Sequence, residues 1–326
     1  MSRRTIIKRR ATGLNVVALG GGHGLAATLR ALRRVTDQIT AVVGVADDGG
    51  SSGRLRAEFG VLPPGDLRMA LAALCGDDTW GRTWSDVIQH RFGGDGELGG
   101  HSVGNLLITA LWEETHDTVI GLDWLGALLE AQGRVLPCST VPLEIVADVS
   151  GLDASDPGHI SIVRGQVAVA TTEGIVERIS LEPTNPPACP EAVAAVLAAD
   201  VVILGPGSWF TSVLPHLLIP ELADAIVTSP AHKVLVMNLD PHRDQETAGV
   251  PARAQLDMLR ALEPRLVLDT VIADPRHIGD TEDVRAGCGE ATLLLSGVGY
   301  THPSRAGTHD PDRLAVAFGT VFESLG

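Results

Sequence analysis

Apolar runs of strand length alternate with helical patterns near the start of this chain. The apolar run Asn15–Gly20 is followed by apolar residues at helical spacing over Leu25–Leu32 and then by a second apolar run, Ile39–Val45. Runs of this kind are typical of strands that are buried on both faces of a sheet. A strand, a helix and a second strand in this order predict a right-handed βαβ unit with parallel strands.

The same alternation returns in the second half of the chain, after a long stretch that shows mainly helical spacing. Late apolar runs there predict further strands of the same sheet. The predicted helices are Leu67–Leu74, Trp84–His90, Ser102–Glu114, Leu122–Gln132, Glu191–Ala199 and Pro311–Leu325. The predicted strands are Asp200–Gly205, Lys233–Asn238, Leu266–Ala273 and Ala291–Leu295.

Residues 135–182 carry a different pattern, in which apolar and polar residues alternate. Alternation of this kind predicts short antiparallel strands with one solvated face. The predicted strands are Leu143–Ala147, Ile160–Val163, Val167–Val169 and Ile175–Ile179. The chain is therefore predicted to be an α/β protein with a mostly parallel central sheet and a small inserted antiparallel β element.

Composition and charge narrow the class of protein. The chain has 326 residues, 44% of them hydrophobic, which suffices for one large domain that we predict to span residues 14–326, after a disordered basic tail at residues 1–13. The net charge of −15 argues against a nucleic-acid binder, which needs a basic face.

The chain also lacks the sequence features of a membrane-spanning or disulfide-bonded protein. No apolar run approaches the roughly 18 residues of a membrane span. Four scattered cysteines predict reduced thiols, and together these features predict a cytoplasmic protein.

A glycine turn joins the first predicted strand to the first predicted helix. Gly20, Gly21, Gly22, His23 and Gly24 place backbone N–H groups at a helix N-terminus, where the helix dipole favours an anion. A turn needed only for packing is the alternative, but three successive glycines are more than such a turn requires. We therefore predict that these five residues bind the phosphate of a ligand.

The segment Ala46–Arg68 combines acidic, small and basic residues directly after the second strand. Its two leading carboxylates follow the carboxyl end of that strand, where open α/β sheets bind ligands. A run of glycines and serines then offers backbone N–H groups with little bulk, and arginines add positive charge. We predict a loop against a phosphate-bearing ligand. The expected ligand contacts are Asp47, Asp48, Ser51, Ser52 and Arg54.

Asp66 stands directly before a predicted helix, so that an N-cap is its default role. Its carboxylate would also lie on the same rim as Asp47 and Asp48, where Mg²⁺ bridging phosphates would take oxygen ligands. Asp47 and Asp48 are therefore candidate metal ligands, and all three aspartates are candidate catalytic residues. Both roles stay open from the sequence.

Residues 100–104, GHSVG, match the G-x-S-x-G pattern of hydrolase nucleophiles. A hydrolase elbow needs a buried strand directly before the serine, and residues 91–99 contain no such strand. We predict instead that Ser102 caps the following helix and that Ser102 and Asn105 contact the ligand.

A second glycine turn repeats the order of strand, turn and helix in the second half of the sheet. This turn, together with the end of the next strand, would lie on the same rim of the sheet. The expected ligand contacts are Gly205, Pro206, Gly207, Ser208, Thr211 and Asn238. The polar segment 240–247 follows on that rim, and Gln245, Glu246 and Thr247 are further candidates for contact with a sugar or an acceptor.

These motifs, taken in order, resemble one family. They are GGGHG (20–24), VADDGGSSGRLR (45–56), LPPGDLR (62–68), GHSVGNLL (100–107) and LGPGSWFTS (204–212). They resemble the gluconeogenesis factor, or YvcK-like, family, which is related to the 2-phospho-L-lactate transferases of the CofD-like superfamily. The resemblance spans about residues 14–325. The chain has His23 where the family commonly has threonine, and Thr308 where arginine is usual.

The resemblance implies a Rossmann-like three-layer α/β/α sandwich that binds a nucleotide sugar of the UDP-N-acetylglucosamine type. It implies a role that links gluconeogenic carbon metabolism to cell-wall synthesis and cell shape, without an established reaction. Cell-wall synthesis or regulatory proteins and a second copy of the chain are the candidate partners. The expected ligand is a nucleotide or nucleotide sugar, with Mg²⁺ as a candidate cofactor.

Two functions therefore stay open from the sequence. The first is a non-catalytic, nucleotide-sugar binding regulatory protein. The second is a Mg²⁺-dependent transferase that moves a phospholactyl-type group from a nucleotide-diphosphate carrier to an acceptor, as the related transferases do. A dehydrogenase using NAD(P) is less well supported, because Asp47 and Asp48 lead into a run of small residues and not into the usual second crossover.

Overall fold

A computed structural model describes residues 13–239 and 250–325 of the chain. The predicted basic tail, apart from Gly13, and the predicted contacts in residues 240–247 lie outside the described residues. The strands are β1 (Asn15–Gly20), β2 (Gln38–Val43), β3 (Arg134–Pro137), β4 (Glu144–Ser150), β5 (Ser161–Arg164), β6 (Ile175–Glu182), β7 (Val201–Leu204), β8 (His232–Val236), β9 (Thr270–Ala273) and β10 (Thr292–Leu295).

Helices of the described residues flank the sheet. They are α1 (Gly22–Leu32), α2 (Gly50–Phe59), α3 (Gly65–Leu74), α4 (Thr79–Gln89), α5 (Val103–Thr115), α6 (Thr118–Leu128), α7 (Gln166–Ala170), α8 (Pro190–Leu197), α9 (Pro220–Thr228), α10 (Ala252–Leu262), α11 (Thr281–Cys288) and α12 (Pro311–Glu323). A π-helical turn, Trp209–Val213, and a 3₁₀ turn, Leu214–Leu218, follow β7.

The central sheet has seven parallel strands in the order β10-β9-β8-β7-β1-β2-β3. Its middle strands are apolar along their length, and every residue of β7 is buried, because helices cover both faces of the sheet. The predicted α/β class and Rossmann-like three-layer arrangement are confirmed. The strand order runs outward in both directions from β1 and β7. This point of reversal is where ligands bind in folds of this kind.

The inserted β element is a three-stranded antiparallel sheet in the order β5-β4-β6. Two details of its prediction were wrong. The insertion was expected from residue 135, but β3 pairs with β2 at the edge of the central sheet, because β2 offers it a free edge there. The predicted strand Val167–Val169 is the helix α7, since Gly165 turns the chain with φ +89° and Asp48 accepts the N–H of Val167 at 3.0 Å. The extent of the single domain, residues 14–326, stays a prediction.

The expectation that Ala46–Arg68 forms one loop was also wrong, because α2 lies within it. Ser51, Ser52 and Leu55 turn inward and are buried, and Gly60 ends the helix in the left-handed conformation at φ +68°. Inward-facing contacts outweigh the low helix propensity of glycine and serine in this segment. The glycine and serine run is therefore the first turn of a helix.

Two predicted helices begin earlier than expected because aspartates cap them. Asp78 accepts the N–H of Gly81 at 2.8 Å before α4, and Asp117 accepts the N–H of Val119 at 2.8 Å before α6. Among the described residues no single helix is long and apolar enough to cross a membrane. One pair, Trp209–Leu218 and Pro220–Thr228, meets that test only jointly and is bent by 83° at its break.

Candidate functional site

The two predicted glycine turns lie side by side at the carboxyl ends of β1 and β7. Gly22, the first residue of α1, has φ +57°, a left-handed conformation that glycine adopts without strain. A β-carbon at Gly24 would lie 2.6 Å from the carbonyl carbon of Pro206 and 2.9 Å from Cα of Gly207. These are backbone atoms, so only glycine at position 24 lets the turns approach this closely. The two turns therefore form one structural unit.

A cleft of about 700 Å³ opens beside the paired turns. Helix α1 begins there with Gly21 as its N-cap residue, which has no side chain to cap it, and no acidic residue lies in its first turn. The described residues that line the cleft include two arginines and no aspartate or glutamate, although the whole chain has a net charge of −15. Because helix N-termini and guanidinium groups both attract anions, the cleft suits a negatively charged ligand.

Six of the predicted contacts line this cleft. They are His23, Gly24, Pro206, Gly207, Ser208 and Asn238. Asn238 also holds the second turn in place, because its amide accepts the N–H of Gly207 at 3.1 Å and donates to the carbonyl of Gly207 at 2.9 Å. The other predicted turn residues, Gly20, Gly21, Gly22, Gly205 and Thr211, are not among the residues that line the cleft, and direct ligand contact by them stays a prediction.

The segment 299–309 forms a further wall of the cleft, of which the sequence interpretation had named only Thr308, as a departure from the family. Tyr300, Arg305, Thr308 and His309 line the cleft from this segment, and Arg30 joins them from α1. One signal in the sequence could have indicated it. Tyr300 is the only tyrosine of the chain, and it follows the last strand of the sheet at its carboxyl end.

Asp274, at the end of β9, anchors this wall. It is almost fully buried, and its carboxylate accepts the N–H of Gly299 at 3.1 Å and Nε of Arg276 at 2.9 Å. Burial alone would raise the pKa of Asp274, but the hydrogen bonds from Arg276 and Gly299 outweigh it and lower the pKa to about 2. Nε2 of His309 lies 3.2 Å from the carbonyl oxygen of Met237, which directly follows the neighbouring strand β8. The wall is therefore tied to the sheet at two points.

We expect Asp274→Asn to cost about 2 kcal/mol of the free energy of unfolding at pH 7, because it removes a charged acceptor from buried donors. The folded pKa of Asp274 is depressed, so its contribution is full above pH 4 and is lost as the pH falls toward about 2. Urea unfolding at pH 7 and pH 3 measures this. The control is Asp257→Asn at a half-exposed ion pair with Arg253, where less than about 1 kcal/mol is expected. Equal losses in the two variants would contradict the anchoring role.

The predicted aspartate cluster is a pair, not a triplet. The carboxylate of Asp66 lies against Gly21 of the first glycine turn and accepts the N–H of Gly22, while the carboxylate of Asp47 lies against Gly65 and interacts electrostatically with Asp66. Burial, and then the charge of Asp47, raises the pKa of Asp66 to about 7. The predicted N-cap role of Asp66 was wrong. Pro64 holds that position, and the carboxylate of Asp66 is engaged by the neighbouring turn instead.

Asp48 faces away from this pair. Its carboxylate accepts the N–H of Val167 at 3.0 Å and lies against Gly165, so that it joins α2 to the inserted β element. In the described ranges, no group of three histidine, cysteine, aspartate or glutamate side chains could hold a metal ion. Because Mg²⁺ is commonly held by one or two carboxylates together with waters and the phosphates of a ligand, metal binding by Asp47 and Asp48 stays a prediction.

Behind the aspartate pair lies a buried polar cluster made by the first turns of α2 and α5. Ser51 Oγ lies 2.9 Å from Nδ1 of His101 and accepts Nδ2 of Asn105 at 3.0 Å. Ser102 holds the N-cap position of α5 as predicted, but its hydroxyl makes no capping bond. Arg68, from α3, packs against Gly104 of the same turn. Among the described residues, the buried side-chain atoms without a hydrogen-bond partner include Arg68 Nε, Ser102 Oγ and Asn105 Oδ1.

The remaining predicted contacts from this region lie outside the cleft lining. Ser51 and Ser52 are buried, and Ser52 packs against Gly65. Arg54 donates to the carbonyl oxygens of Gly99 at 2.8 Å and Glu97 at 3.4 Å, so that it holds the segment before α5 and not the cleft. Direct ligand contact by these three residues stays a prediction.

Comparison with known proteins assigns the chain to a family. Residues 16–286 match the family model described as 2-phospho-L-lactate transferase CofD. The match covers well over half of the chain. The chain belongs to the CofD family. Among individual relatives of this CofD-family chain, a Mycobacterium tuberculosis protein named "Putative gluconeogenesis factor" is 51% identical over 308 residues, which are 94% of this chain and 90% of that protein.

Two further relatives support the same assignment. The "Gluconeogenesis factor" of Listeria monocytogenes is 40% identical over 231 residues, 71% of this chain and 68% of that protein. A crystal structure of a UPF0052-family protein from Bacillus halodurans superposes with a TM-score of 0.81 at 31% identity, over 95% of this chain and 99% of that one. The predicted family resemblance is therefore confirmed, and the CofD-family fold extends over nearly the whole chain.

Proposed function

We propose that this CofD-family protein binds a nucleotide sugar of the UDP-N-acetylglucosamine type in the cleft and acts as a regulatory protein. One observation carries the proposal. In an acidic protein, the described residues of a 700 Å³ cleft at the point of strand reversal present a helix N-terminus, two arginines and no carboxylate. A cleft of this volume is in the range of small-molecule sites, roughly 300–1,000 Å³.

The biological role that we propose follows the relatives' names. Since those proteins are named gluconeogenesis factors, we propose a role in gluconeogenic carbon metabolism, and from the family resemblance we propose that ligand binding links it to cell-wall synthesis and cell shape. Regulatory or cell-wall synthesis proteins, or a second copy of the chain, would receive the signal. All four cysteines are free thiols, which favours action in the reducing cytoplasm.

A second candidate function is transfer of a phospholactyl-type group from a nucleotide-diphosphate carrier to an acceptor. The observation that favours it is the pair Asp47 and Asp66 behind the first glycine turn, with the pKa of Asp66 raised to about 7. A carboxyl group with such a pKa can accept or donate a proton near neutral pH. The family's name, taken from a transferase, points the same way. The transferase would use Mg²⁺ as an added cofactor.

Thermal unfolding in the presence of nucleotides tests the binding proposal. UDP-N-acetylglucosamine at 100 times its dissociation constant should stabilise the folded protein by about 2.7 kcal/mol, a shift of roughly 5 °C for a chain of this size. GDP and NADP serve as comparison ligands. If no uridine nucleotide raises the unfolding temperature, the proposed function is wrong. Stabilisation by GDP alone, with Mg²⁺-dependent release of free nucleotide from a GDP-linked donor, would favour the transferase.

A further inference from the structure

Arg305 lies over an aromatic ring in the lining of the cleft. The carbon atom at the centre of its guanidinium group lies 4.9 Å from the ring centroid of Tyr300, and both side chains line the cleft. The Tyr300 ring is half-buried while Arg305 is exposed. Cation–π attraction to the ring favours this position of the guanidinium group, whose N–H donors suit an anion such as phosphate.

The backbone that carries this stack is internally braced. Tyr300 N–H donates to the carbonyl of Thr308 at 3.0 Å, and Thr308 donates back to the carbonyl of Arg305 through its N–H at 3.2 Å and its hydroxyl at 2.6 Å. Asp274 holds Gly299, directly before Tyr300. Because the side chain and its backbone are already ordered, less conformational entropy is lost when Arg305 binds a ligand.

A second guanidinium group reaches the same cleft from another element. Arg30 lies on α1, two turns after the first glycine turn, and is close enough to Tyr300 for the two groups to interact electrostatically. The described cleft thus has positive charge from two directions, the N-terminus of α1 at one place and the two arginines at another. Two linked phosphates match this division of charge better than one phosphate does.

We propose that Arg305 and Arg30 form a diphosphate clamp, in which the glycine turns hold one phosphate and the two guanidinium groups bind the other. This inference rests on the proposed function and deepens it. It assigns ligand binding to Arg305 and Arg30. It also predicts that the site distinguishes ligands by the number of linked phosphates that they carry. Nucleoside diphosphates and their sugars are then bound more tightly than nucleoside monophosphates.

Isothermal titration of the full chain with UDP, UMP and inorganic pyrophosphate tests the clamp. The wild-type protein is expected to bind UDP at least 10-fold more tightly than UMP. Arg305→Ala should weaken binding of UDP and pyrophosphate about 10-fold or more and binding of UMP less than about 3-fold, and Arg305→Lys should restore only part of the loss. Arg285→Ala, at an exposed ion pair with Glu282 on α11, is the matched control and should change nothing.

The outcomes separate this inference from the proposed function. If wild type binds UDP and Arg305→Ala binds it equally well, the clamp is overturned while the proposed function stands. If no uridine nucleotide binds but pyrophosphate binds to wild type and not to Arg305→Ala, the clamp stands and the proposed function fails. If wild type binds neither, both are overturned. Circular dichroism of each variant shows that the fold is retained.

Discussion

Gly24→Ala should destabilise the protein by about 3 kcal/mol or more and abolish nucleotide binding. A β-carbon at this position would meet the backbone of Pro206 and Gly207, with the carbonyl oxygen of Pro206 nearest. The turns cannot move apart to make room, because β1 and β7 are hydrogen-bonded neighbours with Leu19 opposite Leu204 directly before them. The substitution must therefore distort both turns. Urea unfolding measures the lost stability, and titration with UDP measures the lost binding.

Gly319→Ala is the matched control for this experiment. Gly319 lies within α12, and a β-carbon there would have no neighbour within 4 Å. Alanine favours a helix over glycine by up to about 1 kcal/mol, so this variant should be as stable as wild type or more stable. The close contact of the two turns would be disproved if Gly24→Ala unfolded at the same urea concentration as Gly319→Ala.

Asp66→Asn is expected to stabilise the protein at pH 8.5, although it removes a candidate catalytic group. The folded pKa of Asp66 is about 7, well above the ordinary value of 3.8, because burial and the charge of Asp47 disfavour its ionised form. A carboxyl group with a raised pKa holds its proton more tightly in the folded state. Its favourable contribution is present below pH 4 and is lost as the pH rises through about 7.

Asparagine has the shape of aspartate without its charge, and its oxygen can still accept the N–H of Gly22. Three pKa units correspond to about 4 kcal/mol. Since Asp66 is partly exposed and shares its charge with Asp47, we expect a gain of about 1–3 kcal/mol at pH 8.5 and almost none at pH 4. Urea unfolding at the two pH values measures the difference. Asp66→Ala, which also loses the acceptor for Gly22, should lack this gain.

The same variant distinguishes the two candidate functions. A regulatory protein whose ligand lies in the cleft should bind UDP-N-acetylglucosamine normally when Asp66 is asparagine. A transferase that needs the proton of Asp66 should keep donor binding and lose turnover. If Asp66→Asn is less stable than wild type at pH 8.5, the ionised form of Asp66 does not destabilise the folded protein and this prediction is wrong.

Local patterns in the sequence predicted much of the fold. Strands β1, β2, β7 and β8 were predicted within a few residues, since strands buried on both faces must be apolar throughout. The glycine turn before α1 was also correctly placed, because its conformation and close packing restrict the residue type. The errors fell where local signals were weak or misleading. Helix α2 begins with glycines and serines, and α7 follows an alternating pattern that is typical of strands.

The candidate site was likewise predicted only in part. The sequence located both turns and the aspartates, but it could not show that Asp48 leaves the others to bind the inserted β element. It also did not reveal Tyr300 and Arg305, because these residues reach the cleft only when the segment after β10 folds back over the ends of β8 and β9.

By itself, then, the amino-acid sequence determined the strand pattern, the two glycine turns and the family, since each depends on residues that are close together along the chain. Only the tertiary structure decided which charges face one another. Asp47 and Asp66 interact with each other, and Arg30 and Arg305 line one cleft, although the two arginines lie 275 positions apart along the chain. Contacts of this range arise from the packing of the whole sheet with its helices, and no local pattern encodes them.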